Sequence, residues 1–146
     1  MRRHRFLKPN YIANPDAMKT LQTVTALVEA GAGLALLGVP SATAQLLFAT
    51  PVDAPAAVGL ARIGGAALLA LAVVCWLARR DPDSPVARGL TLAMLFYNLV
   101  VAAMLAFAGF GQGLDGILLW PAMVFHVAMG GWCAATLYRN ENAIFR

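Results

Sequence analysis

The chain has 146 residues, 60% of them hydrophobic and only 12% charged, with a formal net charge of +4. A water-soluble domain of this length carries about twice that share of charge, so a soluble globular fold is excluded. The basic balance does not point to nucleic acid either, because the cations are sorted along the chain instead of gathered on one face.

Crossing a bilayer core of ~30 Å takes ~20 consecutive apolar residues. Four stretches meet this: 21–39, 56–78, 89–110 and 117–138. The expected fold is therefore all-α, an integral membrane four-helix antiparallel bundle. The expected organisation is a basic interfacial N-terminal segment at 1–16, the transmembrane domain at 17–139 and a short tail at 140–146.

Arg2, Arg3, Arg5, Lys8 and Lys19 precede the first stretch, Arg79, Arg80 and Arg88 separate the second from the third, and Arg139 and Arg146 end the chain. The other two connections carry no Lys or Arg. Positive charge collects on the cytoplasmic side of membrane proteins, so both termini are expected there, in a bacterial-type inner membrane.

Local signals mark the helix ends. Asn14 with Pro15 and Asp16 reads as a cap, a first-turn proline and a favourable charge. Ser84 and Pro85 repeat that start, and Asp115 is a candidate cap for the last helix. Between Pro40 and Pro51, residues 42–49 read as a short helix lying in the outer interface. Small residues recur every four positions at Ala57, Ala61 and Gly65, at Gly31 and Ala35, and at Val127, Gly131 and Ala135. Such stripes allow helix backbones to approach closely in lipid. Ala57, Ala61, Gly65, Gly131 and Ala135 are the expected packing positions.

Each stretch also holds one polar or ionisable residue: Glu29, Arg62, Asn98 and His126. At ~1.5 Å rise per residue, Glu29, Asn98 and His126 fall ~14–18 Å from the outer end and Arg62 ~9 Å. An unpaired ion at that depth costs at least ~2.5–3.5 kcal/mol. A Glu29–Arg62 contact, bonded in turn to Asn98 and His126, is one way to meet that cost. Side chains lean toward the N-terminus of their own helix, however, which draws the two apart and lets Arg62 reach the outer headgroups instead. Gln22, Thr25, Ala26, Glu29 and Gly33 share one helix face. Thr91, Asn98 and Ala102 share another, as do Ala122, His126, Gly130 and Cys133.

Buried polar groups fix helix register without any chemistry. Glu29 and His126 are also the residue types of an acid–base pair, catalytic if the protein is an enzyme. Cys75 and Cys133 have no metal-binding spacing and read as small packing residues. No metal or cofactor is expected. A haem or pigment, if there were one, would take His126 as ligand, and Ala122 four residues before His126 resembles the spacing of light-harvesting antenna helices.

The run "ARIGGAALLALAVVCWLARR" (61–80), followed by "MLFYN" and "LLWPAMVFH", resembles small bacterial four-span proteins of the broad DoxX-like kind. The resemblance covers residues 20–138 and implies a four-helix bundle. It carries over no catalytic residue. Three functions are compatible with the residues. The first is a non-enzymatic accessory or structural subunit, partnered by another membrane protein or by copies of itself within the lipid bilayer. The others are an isomerase- or hydrolase-type enzyme on a lipophilic substrate and a proton-coupled small carrier.

Overall fold

The computed structural model describes residues 15–144. The basic segment 1–14, with the expected Asn14 cap, and residues 145–146 of the tail lie outside the described residues. The described chain is helical throughout, with five α-helices: α1 (Pro15–Gly38), α2 (Pro40–Phe48), α3 (Pro55–Ala78), α4 (Pro85–Ala106) and α5 (Leu119–Ile144). A π-helical segment, Phe107–Gly111, continues α4.

Proline opens four of the five helices, at Pro15, Pro40, Pro55 and Pro85. A first-turn proline gives up only an N–H that has no partner inside the helix, and its φ is already helical. At α4 the cap is complete, since Ser84 Oγ accepts from the Ala87 N–H at 3.2 Å. The last helix behaves differently from its expected start. Asp115 is exposed and α5 begins only at Leu119, whose N–H reaches the Gly116 carbonyl at 3.0 Å. Gly116 itself sits against the Leu47 backbone, where a Cβ has no room. The neighbouring Leu118 N–H donates to the Leu46 carbonyl at 2.9 Å. The end of α2 thus docks on the entry to α5, and that docking, not a side-chain cap, sets where α5 starts. The short outer helix runs over Pro40–Phe48, close to the 42–49 read from the sequence, and ends on Ala49 in the left-handed region at φ 55°.

Two antiparallel pairs make up the body. α1 lies along α3, and α4 lies along α5, with far less contact between the pairs. The α1–α3 crossing is set by two glycines. A Cβ at Gly33 would stand 2.7 Å from the Gly65 carbonyl oxygen, and one at Gly65 would stand 2.7 Å from that of Gly33. Gly65 is thus a packing position, and its partner is Gly33 instead of Gly31, which has open space around it. Ala57 and Ala61 are half-buried. Gly131 and Ala135 lie on the exposed face of α5, and Gly130, one residue earlier, faces Leu95, Asn98 and Leu99 of α4.

The surface is apolar where a soluble protein would be charged. Leu27, Leu60, Ile63, Phe96, Phe107 and Val124 are all more than half exposed. Among the described residues, three helices are long and apolar enough to cross a membrane: α1 from Asp16, α3, and α4 extended through the π-segment to Gly111. This is the signature of a membrane protein whose outer surface meets lipid. α5 is of comparable length but less apolar, because His126, the Gly130–Gly131 pair and Thr136 dilute its aliphatic content. The fourth expected stretch therefore lies on a helix of mixed character, which continues past residue 139 into the expected tail.

Candidate functional site: a two-level polar centre

The buried faces of α1, α4 and α5 meet at two polar levels. On the first, Gln22 of α1 is 2% exposed, and its Nε2 donates to Thr91 Oγ1 of α4 at 3.0 Å. The Thr91 hydroxyl lies 2.9 Å from the Ala87 carbonyl and 3.1 Å from Met18 Sδ. One step further along, seven residues on α1 and six on α4, ~9–10 Å at helical rise, comes the second level. Glu29, 4% exposed, accepts from the Tyr97 hydroxyl of α4 at 3.3 Å. Asn98, beside Tyr97, pairs with His126 of α5 at 2.8 Å.

Nearly equal steps, seven residues on α1 and six on α4, bring contacts back to one face of two helices running in the same direction. Between the levels lie buried Thr25 and Ala26 on α1 and Met94 on α4. Cys75, Met94, Met129 and Cys133 form one sulfur-rich packed cluster there with Leu21 and Ala26. Both cysteines are fully buried and free.

The Asn98 amide determines how His126 is protonated. Its Nδ2 donates to the Met94 carbonyl at 2.7 Å, so Oδ1 is the atom turned to the imidazole. An amide oxygen only accepts, so His126 Nδ1 must carry the hydrogen. In the neutral ring, Nε2 then holds the lone pair. Tyr97 presents its ring to His126 in an edge-on arrangement with centroids 5.8 Å apart, and Phe125 does the same from the other side. Tyr97 therefore touches both ionisable groups, with its hydroxyl on Glu29 and its ring against His126.

The four residues singled out from the sequence do not all come together. Glu29, Asn98 and His126 converge, and Arg62 does not. Arg62 is exposed, and among the described residues no ion pair joins it to Glu29. It lines a cleft at the opposite end of α1, between the α1–α2 corner and the start of α3. The reason is the lean of helical side chains toward their own N-terminus: on antiparallel helices it carries Arg62 outward and Glu29 inward.

The residues missed are Tyr97, which takes the position expected of Arg62, and the Gln22–Thr91 pair. Tyr97 could have been found as the neighbour of Asn98 in "FYN". Among the described residues no group of three or more His, Cys, Asp or Glu gathers where a metal could sit.

No family model, no curated protein and no solved structure matches this chain.

Proposed function

We propose that this is a four-span inner-membrane protein of the DoxX-like kind, with both termini cytoplasmic, acting as a non-enzymatic accessory subunit or homo-oligomer. In this reading α5 is the fourth span, and its exposed Val124 and Val127 form a lipid- or partner-facing surface. The positive charges of Arg79, Arg80 and Arg88 mark the cytoplasmic side.

The observation that carries the reading is the pairing of the buried polar groups with one another. Gln22–Thr91 and Glu29–Tyr97 each join α1 to α4, and Asn98–His126 joins α4 to α5. Gln22 keeps one buried amide oxygen without a partner among the described residues, but its donor bond is made, and polar groups paired between helices fix which faces meet, a role that in lipid needs no chemistry. The small-residue positions Gly131 and Ala135, free on the outer face of α5, supply a surface on which another helix could approach closely.

Native mass spectrometry of the tagged chain, extracted from its own membranes in mild detergent, tests this. A stoichiometric assembly is expected, with its own copies or with a second membrane protein. A monomer that keeps a lipophilic small molecule overturns the subunit reading.

A second reading rests on one specific observation, namely that Tyr97 lies between Glu29 and His126. That arrangement puts the Tyr97 hydroxyl on Glu29 and the Tyr97 ring against His126, so two groups of acid–base type border one aromatic side chain. Glu29→Gln and His126→Ala separate the readings. An enzyme loses its phenotype at unchanged protein abundance, whereas a structural centre loses both together.

A further inference from the structure

The Arg62 cleft is not used by the polar centre. It has a volume of about 490 Å³, and Val39, Pro40, Ser41, Asp53, Val58 and Arg62 contribute to its wall. Two opposite charges line it. Asp53 is fixed on one side, where its Oδ1 accepts from Ser41 Oγ at 3.1 Å. Arg62 stands on the other, and among the described residues no ion pair closes between them.

Position along the helix explains why Arg62 is tolerated. It is the eighth residue of α3, ~10 Å from the helix start, and its long stem can carry the guanidinium back toward the water boundary. A cation at that level, beside apolar walls, is within reach of lipid phosphates. Guanidinium is the side chain best shaped to hold a phosphate in a two-pronged bond.

We propose that this cleft is a headgroup site for a zwitterionic phospholipid bearing a primary ammonium, of the phosphatidylethanolamine class. The phosphodiester lies on Arg62. The ammonium, one two-carbon link away, donates to the Asp53 carboxylate. Val39 and Val58 face the glycerol and the first acyl carbons. The chemistry sets a selectivity order. A trimethylammonium headgroup has no N–H to give Asp53, and a glycerol headgroup has no positive charge. The first keeps only its Coulombic attraction to Asp53 and the second only a neutral hydroxyl donor, so each lacks the charge-assisted hydrogen bond. The proposal rests on the membrane reading above, and it assigns the cleft to lipid and not to a protein or a free anion.

The test is native mass spectrometry of the delipidated full chain with equimolar phosphatidylethanolamine, phosphatidylcholine and phosphatidylglycerol. The wild type is expected to retain phosphatidylethanolamine about tenfold over the other two, the ratio expected of one charge-assisted hydrogen bond. Arg62→Ala should lose all three, and Arg62→Lys should recover part of the binding. Asp53→Asn should bind phosphatidylethanolamine and phosphatidylglycerol equally. Arg62 and Asp53 are exposed, so unchanged thermal melting of each variant confirms that the fold is kept. Equal retention of the three lipids by the wild type, or retention unaltered in Arg62→Ala, overturns the proposal. Displacement of the lipid by millimolar inorganic phosphate also overturns it, by making the cleft a free-anion site. Recovery of the chain outside the membrane fraction would instead sink the membrane reading beneath it.

Discussion

The α1–α3 contact and the α4-centred contacts solve the same problem by opposite means. Where α1 crosses α3, side chains are removed: Gly33 and Gly65 bring the two backbones against each other. Where α4 meets α1 and α5, side chains are added, and Thr91, Tyr97 and Asn98 reach across to Gln22, Glu29 and His126. In water, burial of apolar surface drives helices together whatever their faces. In lipid it does not, so contact must come from close packing or from polar groups with no better partner. The first contact tolerates sliding as long as the small residues stay aligned. The second ties each helix to a fixed register, because a shift by one residue unpairs every bond.

That contrast can be broken at either end. The largest effect is expected for Gly65→Leu, which drives a branched side chain into the Gly33 carbonyl. A loss of about 3 kcal/mol or more, seen as a lowered Tm in detergent, is expected for such overpacking. An unchanged Tm would mean that α1 and α3 are not in backbone contact. Next comes Asn98→Leu, which strips His126 Nδ1 of its acceptor inside the bundle and should cost about 1–3 kcal/mol. A double-mutant cycle of Asn98→Ala with His126→Ala should give a coupling of about 0.6–1.7 kcal/mol, and zero coupling would remove the bond from the account. Tyr97→Phe loses only the 3.3 Å bond to Glu29 and keeps the ring against His126, so about 0.6 kcal/mol is expected. A larger loss would show that the hydroxyl serves more than one partner. Smallest is Gly31→Ala. Its Cβ meets open space, so a change within about 0.5 kcal/mol separates a true crossing glycine from an idle one.

Much of this was readable from the residues. Apolar length placed three membrane-long helices, and Pro15 and Pro85 placed the starts of two of them, since both signals depend only on local sequence. The inward faces were readable too, because Gln22, Thr25, Ala26, Glu29 and Gly33 recur at helical spacing and all are buried. Partner choice was not. Arg62 is the natural electrostatic mate for Glu29, and only the relative orientation of two antiparallel helices sends it the other way and leaves the place to Tyr97. The same limit explains Gly31 against Gly33: both lie in "GAG", and their helix faces differ by two residues' rotation, which spacing alone does not rank. The start of α5 was hidden because it depends on Leu46 and Leu47, some seventy residues earlier in the chain.

The hydrogen bond from Tyr97 to Glu29 spans 68 residues of chain. It also imposes an order on biogenesis. When the first two long helices emerge from the ribosome, Gly33 and Gly65 can already meet, so α1 and α3 form a pair that needs nothing further. Glu29 and Gln22 have no mate until α4 is made. For that interval the nascent protein carries an acidic side chain and an amide on an open apolar face, and its quality as a membrane protein depends on the arrival of the third long helix. A chain truncated after α3 leaves that face open, and one that extends through α4 has closed it.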